Sequence, residues 1–307
     1  MKKWFGILII IVVILFAIDR RKSQVTHNEP ITFSKYPSDM KRNLKIPKVA
    51  TVTSAEKIQI QSKSLFSPNN PIVSPQGSPL EPEENHLLHY ELVNGLAMVQ
   101  NDIILGEISS AQPNQNLSGQ ISEPLLQIWP TNEIPYHIQP TLPHPERVLE
   151  ALQFFSNTNV RFISFTDQVD AIVFEAATGP CKSYLGRVGG HQPLFLSDGC
   201  QPPEIAHEIM HALGFLHEQN RSDRDDFISM QWPNIDPKYK INFEKFSSQL
   251  MRLSGQSEFD FQSIMIYPTT MFSTNGGATM QSKFENQSII PSRSLSQKDI
   301  ERINKVY

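Results

Sequence analysis

The stretch "HEIMHALGFLHEQNRSDRD", residues 207–225, decides how the chain is read. It carries His207, Glu208, His211, Gly214 and His217. His207 and His211 are four residues apart, so on a helix both imidazoles lie on one face, one turn apart. Two such nitrogens can share one zinc ion at about 2.0–2.1 Å each. Gly214 can adopt the left-handed conformation that ends a helix. The chain can then turn back and bring in His217 as a third ligand. Three protein ligands leave room for a water, the arrangement of a catalytic zinc site. Glu208 points about 100° away from His207 on a helix. It is therefore suited to reach a metal-bound water as general base and not to bind the metal beside that histidine. Five specified residues at this spacing arise by chance on the order of 10⁻⁷ per position, so coincidence does not account for them. A structural zinc site is disfavoured because no cysteine lies near. The remaining histidines, His27, His86, His89, His137, His144 and His191, carry no such spacing and read as surface or core residues.

Working outward, Pro202, Pro203 and Glu204 open a helix, since proline suits the first turn and glutamate complements the dipole. "HPERVLEALQFFSN" predicts another helix, with Val148, Leu149, Leu152 and Phe155 on one face. "VRFISF" and "DAIVFEA" predict strands. "PLFLSDGC" predicts a further strand, placed near a sheet edge by Pro193. "LSQKDIERINKVY" predicts a closing helix with a capping box from Ser296 to Asp299. Helices and strands mix without regular alternation, which points to an α+β fold.

The chain has 307 residues and a formal net charge of −4, so it offers no basic field for nucleic acid. Lys2 and Lys3 precede "WFGILIIIVVILFAI", residues 4–18. This start predicts export through a signal peptide or a signal anchor over residues 1–22. The small-residue cleavage site is poor, and fifteen apolar residues are short of the roughly 20 that span a bilayer. Both the cleaved and the membrane-anchored forms stay open. Residues 23–84 include "SPNNPIVSPQGSPLEPEEN" and predict a Pro/Ser-rich disordered linker. Cys181 and Cys200 are the two cysteines. In an exported chain an even pair suggests one disulfide, with two free thiols as the alternative.

The residues 207–225 closely resemble the astacin family of metzincin zinc endopeptidases, whose pattern HExxHxxGFxHExxRxDRD is met at every specified position. The likeness extends over roughly residues 86–307. It implies a metzincin-like fold: a twisted mixed sheet and active-site helix in an N-terminal subdomain, then a less regular C-terminal subdomain ending in a helix. It implies one Zn2+ per chain, held by His207, His211 and His217, and a protein or peptide substrate attacked by a zinc-bound water with Glu208 as base. "SIMIY", residues 263–267, resembles the family's methionine turn. That likeness puts Met265 beneath the metal and makes Tyr267 a further metal ligand and oxyanion stabiliser. Ile266 stands where the family has a histidine that is not a ligand. The stretch from Cys181 to Cys200 resembles one that the family bridges by a disulfide. Glu218 matches a glutamate that contacts the mature N-terminus. Arg221, Asp223, Arg224 and Asp225 read as structural ion pairs.

Family zymogens are blocked by an aspartate in an F-x-G-D motif. "VQND", residues 99–102, stands at the corresponding place, with Val99 and Asn101 replacing the phenylalanine and glycine. Asp102 is thus the candidate zymogen switch within a pro-segment over residues 85–118, ahead of a catalytic domain over 119–307. Lysine and arginine are absent between Lys63 and Arg147. A trypsin-like activator has no site there, which predicts autolysis or a different activator. The chain is expected to act as a monomer outside the cytosol. A zinc-bearing binding module without turnover, and a serralysin- or matrixin-like protease, are the competing readings. Glu208 and Tyr267 oppose the first, Phe215 and Glu218 the second.

Overall fold

Seven residues after His86 alternate between solvent and core: Leu88, Tyr90 and Leu92 point inward, and their neighbours point out. That period of two makes Leu87–Val93 a half-buried strand, β2. Asn94 and Gly95 follow with φ of 52° and 83°. Two consecutive left-handed residues form the tight turn that matches strand twist, and β3, Leu96–Val99, runs back along β2. A second turn at Gln100 and Asn101, also at positive φ, leads into β4, Ile103–Ile108. The computed structural model describes residues 48–49, 86–108, 118–255 and 257–307. The signal or anchor segment, residues 1–22, lies outside the described residues, as does the linker apart from β1, Lys48–Val49. Those two residues pair parallel with Glu107 and Ile108. Among the described residues no helix is long and apolar enough to cross a membrane.

The remaining strands of the large sheet are β5 (Ser118–Ser122), β6 (Glu133–Ile138), β7 (Arg161–Ser164), β8 (Ala171–Ala176), β9 (Lys182–Tyr184) and β10 (His191–Leu196). The order is β5-β2-β3-β4-β9-β10-β8-β6-β7, with β1 beside β4. Parallel and antiparallel pairs are mixed: β6, β7, β8 and β10 run parallel, while β9 is antiparallel to β10 and parallel to β4. The α+β expectation holds.

Pro193 corrects one expectation. It sits in β10, which is an interior strand and not an edge. The antiparallel neighbour pairs only with Leu194 and Phe195, so the proline's missing N–H falls where that ladder has run out.

Helix α1 spans Glu146–Gln153 and α2 spans Pro202–Ala212. On α1 the buried face is Val148 and Ala151, continuing to Phe155. Leu149, expected on that face, is 38 % exposed, because one residue rotates the helix by about 100°. These side chains share a core with Ile205, Ile209 and Met210 of α2 and with Ile172 and Phe174 of β8. Gln201 and Glu204 form a reciprocal cap at the start of α2. The disulfide joins Cys181, just before β9, to Cys200, just before α2. It therefore ties β9 to the helix that carries His207 and His211. A short helix, α3 (Ser248–Leu253), and a two-stranded sheet of β11 (Ile228–Met230) and β12 (Met280–Ser282) belong to the less regular second half. The chain closes in α4, Gln297–Val306, whose Ser296 and Asp299 form the expected capping box.

Candidate metal centre

Helix α2 ends in a Schellman motif, which positions the third histidine. Gly214 sits at φ 100°, its N–H bonds the His211 carbonyl at 2.8 Å, and the Phe215 N–H bonds the Met210 carbonyl at 3.0 Å. Two further carbonyls at the helix end are met from a distance: Trp129 Nε1 donates to Ala212 at 2.9 Å and the Tyr307 hydroxyl to Leu213 at 2.6 Å. The chain reverses at Gly214, and His217 folds back beneath the helix.

The three Nε2 atoms converge. His207 Nε2 lies 3.0 Å and His211 Nε2 3.3 Å from His217 Nε2. Each Nδ1 is engaged on the far side of its ring, His207 with the Ile264 carbonyl, His211 with the Phe215 carbonyl and His217 with Gln100 Oε1, all at 2.8 Å. Every one of these partners is an acceptor, so Nδ1 carries the proton and each Nε2 presents a lone pair. Three lone pairs crowded inside the protein repel one another unless a cation sits among them. Burial also pushes the His211 and His217 pKa values below the ordinary histidine range, which keeps their rings neutral as metal ligation requires. The donor set, spacing and protonation fit zinc.

Asp102 reaches the same point from the turn before β4. Its Oδ2 lies 3.3 Å from His217 Nε2 and 3.6 Å from His207 Nε2, and Oδ1 lies 3.8 Å from His211 Nε2. The four ligand atoms fall within 4.8 Å of one another. Gln100, only 2 % exposed, makes two contacts in the same turn. Its side chain accepts from His217, and its carbonyl accepts from the Tyr267 hydroxyl at 2.5 Å. The Tyr267 hydroxyl is thus spent on residue 100 here. Its ring lies 4.8 Å from that of His217.

Glu208 is 3 % exposed, and its Oε2 has no hydrogen-bond partner among the described residues. Burial and the Asp102 charge push its pKa well above the ordinary range, while Lys182 pulls it down. Lys182 is itself buried on β9, with its ammonium 5.2 Å from the Phe195 ring. It lines a cavity of about 240 Å³ between residues 98–101 and residues 178–182.

Met265 is fully buried in the core beneath the ligands. Its turn is held by Asp299 of α4, which accepts from Ser263 Oγ at 2.6 Å and from the Ile264 N–H at 2.9 Å. Ile264 is the residue whose carbonyl orients His207, so the closing helix supports a ligand through one intermediate. Glu218 carries ion pairs to Arg221 and Arg302 and accepts from the Asp260 N–H. Arg221 also pairs with Asp223, and Arg224 with Asp225, as the charge run suggested.

Sequence reasoning found the histidines, Glu208, Tyr267, Met265 and Asp102, and the structure brings all of them together. It passed over Gln100, and it saw Asp299 only as a cap. The signal available was that Gln100 lies two residues from a suspected switch. Its contact with His217 spans 117 residues and has no local trace.

Residues 122–307 match the family model described as Astacin, a peptidase family. The chain is 31% identical over 255 residues to zinc metalloproteinase nas-14 of Caenorhabditis elegans, covering 77% of this chain and 50% of that protein. It is 35% identical over 239 residues to zinc metalloproteinase nas-6 of the same organism, covering 74% and 67%. Among solved structures, high choriolytic enzyme 1, a hatching enzyme zinc-protease from Oryzias latipes, is 34% identical with a TM-score of 0.53, covering 59% of this chain and 93% of that one. The chain spans about half to two thirds of the length of these two curated relatives. With the family model matched across more than half its length around this metal centre, the chain belongs to the astacin family.

Proposed function

We propose that the chain is a zinc-dependent endopeptidase that hydrolyses peptide bonds in proteins and is made in a latent form. The observation that carries this reading is the convergence of three Nε2 lone pairs beside the buried Glu208, whose Oε2 has no hydrogen-bond partner among the described residues. Bound zinc would acidify a water and polarise the substrate carbonyl. His207, His211 and His217 would hold the ion. Glu208 takes the proton from the attacking water and later gives it to the leaving amine, a role suited to a carboxylate whose pKa is raised. Tyr267, once freed from Gln100, turns its hydroxyl toward the developing oxyanion.

Latency rests on residues 85–118, with Asp102 beside the three histidines, where it would meet the bound ion, and Gln100 holding His217 and Tyr267. The catalytic domain is residues 119–307. A cut without a basic residue, by autolysis or by another protease, begins its activation. The new N-terminal amine would then compete with Arg221 and Arg302 for Glu218. The disulfide supports folding in an oxidising compartment, so we place the enzyme outside the cytosol, secreted or anchored by its N-terminal segment, and acting as a monomer.

The test compares wild type and Glu208→Ala after removal of residues 85–118. Both should bind one zinc, and the variant should hydrolyse casein about 10²–10⁴-fold more slowly. Equal cleavage by the two proteins, or no cleavage by wild type, would overturn the reading.

A further inference from the structure

We propose that the segment 86–108 is a separable protein inhibitor. Cutting the joint at residues 109–117 leaves it seated on the catalytic domain, and a second event must remove it. The inference rests on the endopeptidase reading above.

Strands β2, β3 and β4 stand between two edges that belong to the catalytic side of that joint. On one side β4 pairs parallel with β9, Ile103 opposite Ser183 and Ile104 opposite Tyr184. On the other, β2 pairs antiparallel with β5 over five residue pairs, from Leu87 opposite Ser122 to Glu91 opposite Ser118. The segment therefore extends the sheet from the β9 edge and carries β5 as the sheet's terminal strand.

Its inner face is apolar. Leu88, Tyr90 and Ile103 share a buried cluster with Leu126, Leu216 and Phe246. Met98 and Ile104 close over Tyr184, whose hydroxyl has no hydrogen-bond partner among the described residues. Polar ties flank this face. His89 pairs with Glu244 at 2.7 Å, and His86 Nε2 meets the Lys245 carbonyl at 2.9 Å. Gln100 and Asp102 complete the set at the metal ligands.

None of these contacts runs through residues 109–117. Hydrolysis there converts an intramolecular partner into a bound fragment that loses the tether's effective concentration and keeps the contacts above. An extended partner that adds strands to exposed sheet edges gains its affinity from main-chain pairing and its specificity from side-chain pockets. The fragment has both. The surface made by β5, β9 and the Leu126, Leu216 and Phe246 cluster is thus a docking site for this three-stranded peptide, and release requires a cut within 86–108 or its unfolding.

The experiment inserts a recognition sequence for a specific protease between Ala111 and Asn116 of the full chain and cuts it completely. The expected result is co-elution of the fragment with the catalytic domain, with peptidase activity within about twofold of the uncut chain. Separation in mild urea followed by dilution should then release activity, and adding the fragment back should suppress it. A Cβ on Gly119 would stand 2.8 Å from the Tyr90 hydroxyl, so Gly119→Val should loosen β2 from β5. It should raise the activity of the cut chain at least about tenfold, the effect of 1.4 kcal/mol. Fragment and domain eluting apart, with full activity on the first cut, would overturn the proposal. So would retention untouched by Gly119→Val, because the β5 edge would then hold nothing. If the urea-separated domain is inactive, the endopeptidase reading fails, while co-elution still decides retention.

Discussion

His217 shows how a single residue depends on distant partners. Its place in the metal centre follows from Gly214, three residues upstream, but its Nδ1 partner comes from Gln100. Gln100 and Asn101 hold left-handed backbones at φ 54° and 76°, a conformation that costs non-glycine residues on the order of 1–3 kcal/mol each. The contacts to His217, Tyr267 and the metal ligands offset that cost. Asp102 should carry most of the block. Asp102→Ala removes the carboxylate held against the three ligand nitrogens, so the uncut chain should gain peptidase activity at least about tenfold, the effect of about 1.4 kcal/mol. A peptide assay on uncut wild type and variant checks this, and an equally inactive variant would remove Asp102 from the latency mechanism. The convergence of the three histidines was legible in the sequence because helical spacing is local information. The partners of their Nδ1 atoms were not, since a hydrogen bond between residues far apart in sequence exists only after folding.

At the scale of elements, α2 and α4 work as a pair. Helix α2 carries two ligands and stops at Gly214. Gly214→Ala would force φ 100° on a residue with a Cβ 3.3 Å from Leu126 Cδ1. We expect a loss of about 1–3 kcal/mol in stability, with weaker zinc retention because His217 is displaced. Denaturant unfolding and metal analysis measure the two effects, and an unchanged midpoint would count against the Schellman reading. Helix α4 holds the methionine turn through Asp299. Burial raises the Asp299 pKa against the opposing effects of Arg302, the Ser263 hydroxyl and two backbone N–H groups. The folded state thus binds this proton more tightly than the unfolded chain does. The group's contribution is fully present below its unfolded value and is lost as pH rises through the raised folded one. Wild type should therefore lose melting temperature relative to Asp299→Asn as pH rises across that window. Parallel pH profiles would contradict the assignment. The capping box at Ser296 was readable as a local pattern. The grip of Asp299 on Ser263 was not, and neither was the interior place of Pro193, because strand order is decided by neighbours and not by the strand's own residues.

At the scale of the whole molecule, the metal centre gathers side chains from separate elements. His207 and His211 come from α2, His217 from the reversal after it, and Asp102 from the turn before β4. Removing zinc leaves mutually repelling lone pairs and an anion without its cation. Binding at about a thousandfold above Kd contributes roughly 4 kcal/mol. Chelation should then lower Tm on the order of 10 °C, reversibly on adding zinc. A scan with and without chelator reads this directly, and an unchanged Tm would deny the ion a role in stability. The sequence by itself determined the histidine spacing and the glycine reversal, short patterns whose geometry follows from helix pitch or turn conformation, and its resemblance pointed to the methionine turn and the family. Only the tertiary structure decided that residues 86–108 extend the sheet from the β9 edge, that Gln100 holds His217 and Tyr267, and that Asp299 supports His207 through Ile264. These depend on strand pairing and long-range hydrogen bonds, whose free energy appears only when distant segments are brought together at the cost of chain entropy.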